Sequence, residues 1–217
     1  MKRLFILFAL TMSFSLANAQ EQLDLKLIEE TVKEEKQYFR DITKVFTTND
    51  PYIRLTDIAL VYYGHSFTPQ YNPIKDENEK LLKKYIYEEN YPMIYKTANS
   101  ILEYNPASLE ALFYAWISGK TIGKSEEEYL SYVNRHQNVV NMIKEYGNGK
   151  SAETAFRIVH PDDKHHIMQS LGISDVESET FDPNTLCYII VVSPSKEFPH
   201  RHIYFNISLF MNSTNKK

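Results

Sequence analysis

Residues 90–123, NYPMIYKTANSILEYNPASLEALFYAWISGKTIG, decide the fold that the sequence predicts, because they form two helices around Asn105-Pro106. Apolar residues recur with helical spacing on both sides of that pair. Pro106 disfavours the α conformation at Asn105, which ends the first helix, and it can open the second. The first apolar stripe comprises Ile94, Ala98, Ile101 and Leu102, and the second comprises Leu109, Leu112, Phe113, Trp116 and Ile117.

A third helix follows after a stop at Gly119 or Gly123. Ser125 suits its N-cap, and Glu128 stands three residues on, which is the capping-box spacing. Helix, Asn-Pro corner, helix, short loop and helix together resemble a tetratricopeptide-type array of hairpins. An ordinary helical bundle is the alternative. The third apolar face comprises Tyr129, Tyr132, Val133, His136, Val139, Val140 and Ile143.

The chain before this stretch also favours helices. Residues 23–46 carry one apolar stripe among many charges, which predicts a single long surface helix. Shorter helices are expected at about 54–63 and ending near Tyr87. Residues 62–73 contain four aromatics, one Gly and two Pro, which indicates an ordered loop. Its tyrosines either cap the helical core or contact a partner.

The periodicity changes after Gly147-Asn148-Gly149. Strands are predicted at 155–159, 186–192 and 203–209, and a helix at 162–171. The last two strands should pair as an antiparallel hairpin. The sequence therefore predicts an α+β protein, with a mostly helical region at 20–146 and a small antiparallel β-sheet module at 147–211. Residues 212–217 are expected to be a frayed tail.

The first residues have the pattern of an export signal. Lys2 and Arg3 precede the apolar run 4–16, and Ala17-Asn18-Ala19 fits a signal-peptidase site, so that residues 1–19 would be removed. No Cys follows the cleavage position, so we expect no lipid anchor, and no later segment is apolar enough to span a membrane. Cys187 is the only Cys, which excludes an intramolecular disulfide.

Charge narrows the classes of partner. Removal of residues 1–19, which carry Lys2 and Arg3 and no acid, would change the formal charge from −4 to −6. A mildly acidic chain of this kind argues against nucleic acid and anionic membrane surfaces as main partners.

Three groups of residues stand in order along the chain: Tyr62-Tyr63-Gly64 with Phe67, Tyr71 and Pro73; Gly147-Asn148-Gly149-Lys150-Ser151 with Thr154-Ala155-Phe156; and Ile203-Tyr204-Phe205-Asn206. Together they resemble an uncharacterised family of exported proteins from Bacteroides-type bacteria, the domain of unknown function 4919. At Asp162-Asp163-Lys164-His165 the chain departs from the family's acidic pair followed by Tyr. The resemblance implies export and this architecture, and it transfers no catalytic residue.

Few residues have the spacing of a chemical site. His200 and His202 are two apart and would share a strand face, where His160 or Asp162 could complete a zinc site. The competing interpretation is solvent-facing His without metal, and neither HExxH nor CxxC pairs are present. Gly147-Asn148-Gly149-Lys150-Ser151 lacks the first Gly of a phosphate-binding loop, so it is interpreted as a turn.

These observations favour a non-enzymatic binding or scaffolding protein of the bacterial envelope, located in the periplasm or outside the cell. A helical groove lined by Tyr and Trp would bind a protein, peptide or glycan, and no cofactor is expected. The alternative is an envelope enzyme, a metal-assisted hydrolase that uses the face of His200 and His202. The candidate binding residues are Tyr62, Tyr63, Tyr71, Tyr114, Trp116, His202 and Tyr204.

Overall fold

The computed structural model describes residues 23–214. The chain up to residue 146 is helical, with a short 3₁₀ helix, His65–Phe67, directly after the third helix. The α-helices of this part are α1 Leu25–Glu34, α2 Lys36–Thr47, α3 Leu55–Gly64, α4 Glu77–Tyr87, α5 Tyr91–Tyr104, α6 Leu109–Thr121 and α7 Glu126–Tyr146.

The corner between α5 and α6 follows the sequence prediction. Asn105, with φ −127° and ψ 77°, leaves the helical conformation and ends α5, and Pro106 lies in the following turn. Ser108, rather than Pro106, begins the next helix, because its side chain accepts a hydrogen bond from the Ala111 amide at 3.3 Å. The stop after α6 is Gly123, whose φ of 80° is the left-handed conformation that glycine favours after a helix.

One long helix, α7, connects two hydrophobic cores. Tyr132, near its beginning, packs with α4, α5 and α6 in the smaller core. Val139 and Ile143, near its end, lie in the larger core together with α1, α3, α8 and the sheet. Residues of both predicted regions, 20–146 and 147–211, thus share the larger core.

The prediction of one helix over residues 23–46 is wrong. Glu35 has φ −105° and ψ 48°, which separates α1 from α2. The break lets both helices pack on the end of α3. A Cβ at Gly64 would lie 3.0 Å from Val32 of α1 and 3.0 Å from Phe39 of α2. A single apolar stripe does not reveal such a bend, because each half keeps its own helical spacing.

The C-terminal part contains a four-stranded sheet of order β1-β4-β3-β2. β3 and β4 pair antiparallel, as predicted, but β1 runs parallel to β4, so the sheet is mixed rather than purely antiparallel. Ile190, Val192, Ile203 and Phe205 face the larger core. The elements of this part are β1 Phe156–Arg157, α8 Asp163–Ser170, β2 Val176–Asp182, β3 Cys187–Val192, β4 His202–Asn206 and α9 Ser208–Thr214.

Two details of this part differ from the prediction. β2 was not predicted, because most of its residues are exposed at the sheet edge and it lacks an apolar alternation. The strand predicted over 203–209 ends at Asn206, whose side chain accepts hydrogen bonds from the Ser208 amide and hydroxyl at 3.1 and 2.6 Å. Those bonds begin α9, so residues 212–214 are helical and not a frayed tail. The predicted signal, residues 1–19, lies outside the described residues.

Candidate ligand-binding site

A cavity of about 40 Å³ lies between the helical part and the segment that follows β1. Its walls come from the end of α3, the loop before α4, α4 itself, the α5–α6 corner and the beginning of α8. The cavity is small, with room for about three or four water molecules by the usual measure of about 10–15 Å³ each. Its walls carry five carboxylic acids, Asp76, Glu79, Glu110, Asp162 and Asp163.

Asp163 anchors the cavity floor. Its Oδ2 accepts hydrogen bonds from the Tyr62 hydroxyl at 2.6 Å and from the His160 amide at 3.1 Å. The same Tyr62 oxygen accepts a hydrogen bond from the Val159 amide at 3.0 Å. Burial raises the pKa of the Asp163 carboxyl, and burial together with the charge of Asp163 raises that of the Tyr62 phenol. This network fixes the segment between β1 and α8 against α3.

Glu79 faces His160 across the cavity. Its Oε2 lies 4.0 Å from Nε2 of His160, which is beyond hydrogen-bond distance. Nδ1 of His160 accepts a hydrogen bond from the Asp162 amide at 3.2 Å, so a hydrogen of the ring stands on Nε2. Burial, and then the charges of Asp76 and Asp163, raise the pKa of Glu79 to about 7. This carboxyl therefore exchanges its proton near neutral pH.

Among residues 23–214, Lys83 is the one basic side chain on the cavity wall other than histidine. Its ammonium donates to Oδ2 of Asp162 at 2.7 Å. Burial, the largest single effect, would raise the pKa of Asp162, but the hydrogen bond from Lys83 and the charges of His160, Lys83 and His165 together outweigh it, so that the pKa is lowered. The charge of Lys83 is thus paired with that of Asp162. The other four acids of the cavity wall either carry a negative charge or are protonated.

His65 is the most enclosed base of the cavity, with 5% of its surface exposed. Its ring packs against the rings of Tyr71 and Tyr104, with centroid distances of 5.5 and 6.4 Å. Within residues 23–214 neither ring nitrogen of His65 has a hydrogen-bond partner. Burial lowers the pKa of His65 to about 4. A neutral, unpartnered imidazole therefore lines the cavity.

A cleft of about 390 Å³ adjoins the cavity between α6 and α8. Glu110 and Asp162 line both spaces, so they form the boundary between them. The cleft's apolar wall is made by Phe113 and Tyr114 of α6. The ring of Phe113 also meets that of Trp116 edge to face, at a centroid distance of 5.8 Å.

The aromatic wall exists because α6 buries its small residues instead. Ala111 and Ala115 are fully buried, whereas Phe113, Tyr114 and Trp116 are only partly buried. Gly119 allows the ring of Tyr95 on α5 to approach, since a Cβ there would lie 3.1 Å from it. Close packing of α5 on α6 thus turns the large rings towards the cleft. The predicted stripe of Leu109, Leu112, Phe113, Trp116 and Ile117 is buried only at its two leucines.

Two histidines connect α7 and α8 behind the cleft. Nε2 of His136 lies 3.1 Å from Nδ1 of His166, which is a hydrogen bond. Nε2 of His166 points towards Glu110, whose Oε2 is 3.5 Å away, and it has no hydrogen-bond partner. Burial, and then the neighbouring His166, lower the pKa of His136 to about 3. The pair thus presents an unpartnered ring nitrogen towards Glu110.

A comparison of the chain with known protein families covers almost all of the described residues, including those of the cavity and the cleft. Residues 26–216 match the model of the family described as Domain of unknown function (DUF4919). The chain belongs to that family. No curated protein and no solved structure matches it. The likeness to tetratricopeptide repeats and the Bacteroides-type source remain predictions.

The structure of this DUF4919 member distributes the sequence-predicted residues over several places. Tyr62 and Tyr71 line the cavity, and Tyr114 lines the cleft with Trp116 beside it. Tyr63 is fully buried and donates to the Arg157 carbonyl at 3.1 Å. Tyr62 and Tyr63 belong to α3 rather than to the predicted loop.

His202 and Tyr204 lie on the sheet face opposite the larger core. His202 is exposed, and the cavity and the cleft are both lined by other residues.

The predicted metal ligands do not come together. His202 begins β4, whereas His160 follows β1 beyond the other end of β4, where the Ile158 amide donates to the Asn206 carbonyl at 3.0 Å. The five residues of β4 alone extend roughly 13 Å. Among residues 23–214 no group of three or more His, Cys, Asp or Glu side chains is arranged to hold a metal ion.

The loop at Gly147-Asn148-Gly149 is a turn, as predicted. The amides of Asn148 and Gly149 both donate to the Thr154 carbonyl, at 2.9 and 2.8 Å. The Lys150 amide donates to the side chain of Asn148 at 3.1 Å. These amides are used within the loop, which leaves none of the three for a phosphate.

In the described part of the chain, the helices are too short or too polar to traverse a bilayer.

The sequence carried two signals for the site that were missed. Asp162-Asp163 directly follows His160-Pro161, which places acids and an imidazole in one short turn. On α6, small residues are interspersed with aromatic ones. The small residues form a second buried face of the helix, which the apolar spacing alone does not reveal. Tyr62 and Asp163, by contrast, are 101 residues apart, and no local pattern connects them.

Proposed function

We propose that this protein is a non-enzymatic binding protein of the bacterial envelope, exported by its N-terminal signal, and that the cleft between α6 and α8 holds its ligand. One observation carries the proposal: Phe113 and Tyr114 are partly exposed beside Glu110, at the boundary of a cavity whose walls carry carboxylic acids. Aromatic rings supply contact area at low entropic cost, and the adjacent acids orient a polar group. Envelope peptides and glycans both combine such groups.

The chain's single tryptophan gives a direct test. Trp116 contacts Phe113, so a ligand in the cleft should change its fluorescence. We expect the fluorescence of Trp116 to change saturably with one of two ligand classes, envelope peptides or envelope oligosaccharides. The other class should cause no change. Tyr114→Ala should weaken that binding. Tyr87→Ala is the matched control, because Tyr87 is exposed at the end of α4 and outside the cleft.

Binding that is unaffected by Tyr114→Ala, in a variant with unchanged melting temperature, would place the ligand elsewhere and contradict the proposal. The export step is tested separately. Sequencing of the secreted protein should begin at Gln20.

A second candidate function is acid–base catalysis in the cavity. The observation in its favour is Glu79, which has a pKa of about 7. Its Oε2 lies 4.0 Å from Nε2 of His160, a distance that one substrate atom can bridge. In this case ligand in the cleft would be turned over, and Glu79→Gln would abolish turnover without lowering affinity. The metal-assisted hydrolase at His200 and His202 has no comparable support.

A further inference from the structure

We infer that the cavity receives a primary ammonium group, carried on an aliphatic chain that lies in the aromatic cleft. This inference rests on the proposed binding function and specifies the chemistry of its ligand. A lysine side chain of a peptide and a free alkylamine both present this group. Four properties of the site select it.

The first property is charge. The cavity presents five carboxylic acids and one lysine, and that lysine already donates to Asp162. Glu79 and Glu110 have no basic side chain within hydrogen-bond distance. A cation entering the cavity therefore meets uncompensated carboxylates, whereas a carboxylate or phosphate would be repelled.

The second property is an unused acceptor. His65 is buried, lines the cavity and has no hydrogen-bond partner within residues 23–214. A neutral imidazole offers a lone pair to a donor that enters the cavity. An ammonium group has three donors and no acceptor, so it can serve His65 and a carboxylate together.

The third property is size. A cavity of about 40 Å³ has room for an ammonium group, which is close to a water molecule in volume. A guanidinium is a planar fork with five donors, and a quaternary ammonium carries methyl groups in place of donors. The ammonium is the most compact of these cations, so the cavity favours a primary amine among them.

The fourth property is the approach. The cleft adjoins the cavity at Glu110 and Asp162, which line both spaces, and Phe113 and Tyr114 also line the cleft. Methylene groups pack against aromatic rings while the charged end lies in a polar space, as lysine side chains do generally. The chain of the amine would lie along these rings and its ammonium would end beside Glu79 and His65.

Because Glu79 ionises near neutral pH, the binding of the amine should depend on pH. An ammonium group binds the ionised carboxylate, and a pKa of about 7 means that Glu79 ionises mainly between pH 6 and pH 8. The bound amine stays protonated over that range, since its own pKa is about 10.4. The titratable groups that face Glu79 come from every element packed around it. They are Asp76 and Lys83 of the α4 region, Tyr62 of α3, His65 after α3, Tyr71 in the loop before α4, Tyr104 of α5, Glu110 of α6, and His160, Asp162 and Asp163 before and within α8.

The experiment is calorimetric titration of the purified protein with matched pairs of probes. Nα-acetyl-lysine amide is compared with its Nε-acetylated form, and butylamine is compared with butanol. We expect both amines to bind and both uncharged partners to bind at least about tenfold more weakly, the loss typical of a charged hydrogen bond. A preference for the lysine derivative over butylamine would identify a peptide as the source.

The affinity of the amines should rise about tenfold from pH 6 to pH 8 as Glu79 ionises. Glu79→Gln should remove that rise, whereas Glu77→Gln, an exposed acid on the same helix, should retain it. The comparison of acetylated and free amine in the natural protein needs no variant, so it remains decisive if Glu79→Gln folds poorly.

Equal binding of the acetylated and free lysine derivatives would overturn the ammonium inference and leave the proposed cleft function intact. The ammonium inference would also be overturned if a glycan changed the fluorescence of Trp116 while neither amine produced heat on titration. The proposed cleft function would again stay intact. Loss of every fluorescence and calorimetric signal would reject both proposals.

Discussion

At the scale of single residues, Gly149 shows how a weak sequence motif becomes a structural requirement. It has a φ of 67°, and a Cβ there would lie 2.7 Å from Cδ2 of Phe156, the first residue of β1. Its carbonyl accepts a hydrogen bond from the Tyr204 amide at 2.9 Å. The turn therefore positions both β1 and β4, and its glycine is needed for backbone conformation and for space.

Gly149→Ala should destabilise the protein by about 3 kcal/mol, from left-handed strain and overpacking together. Gly123→Ala separates the two causes, because Gly123 has a φ of 80° but no atom within 4 Å of its added Cβ. That control should cost only about 1 kcal/mol. Chemical unfolding measures both values, and equal losses would mean that the Phe156 ring gives way without cost.

At the scale of helices and strands, the beginning of α7 combines a predicted feature with an unpredicted one. The Ser125 hydroxyl accepts from the Glu128 amide at 3.3 Å, which is the predicted N-cap. The Glu128 carboxylate, however, accepts a hydrogen bond from the Tyr95 hydroxyl of α5 instead of completing a capping box. Tyr95 also contacts the Tyr132 hydroxyl at 3.1 Å, so this end of α7 is tied to α5.

Ser125→Ala should lower the free energy of unfolding by about 1 kcal/mol, the usual cost of losing a helix cap. Ser100→Ala is its control, because Ser100 lies inside α5 and bonds only the Lys96 carbonyl of its own helix. That change should be neutral or slightly stabilising, since alanine is the better helix former. Thermal unfolding of both variants gives the comparison, and a neutral Ser125→Ala would show that the contact of Glu128 with Tyr95 holds α7 without the cap.

The elements that the sequence predicted are those with a local signal. α5, α6 and α7 have apolar stripes and caps, and β3 and β4 have a strand pattern that their burial confirms. The break at Glu35, the two-residue β1 and the edge strand β2 depend on what packs beside them, so no spacing reveals them. The site was predicted least, because its acids come from α4, α6 and α8 and meet only after folding.

At the scale of the whole molecule, the buried ionisable groups give stability a limited pH range. The pKa of Glu79 is raised from 4.5 to about 7, so its contribution is fully present below pH 4.5 and is lost as pH rises through 7. The pKa of His65 is lowered from 6.5 to about 4, so its contribution is fully present above pH 6.5 and is lost as pH falls through 4. Between pH 4.5 and pH 6.5 the two contributions to stability change in opposite directions as pH rises. Above pH 6.5 only the contribution of Glu79 continues to fall.

The natural protein should therefore lose about 1.4 kcal/mol of unfolding free energy between pH 6 and pH 9 through Glu79 alone. Glu79→Gln cannot ionise, so its stability should stay level over that range and exceed that of the natural protein at pH 9. Glu77→Gln, an exposed change on the same helix, should keep the natural slope. Urea unfolding at pH 6, 7, 8 and 9 measures the three curves, and parallel curves for the natural protein and Glu79→Gln would show that this carboxyl is ionised throughout. The same ionisation gives the amine its affinity, so an amine at saturating concentration should restore at pH 9 the stability that the empty cavity loses.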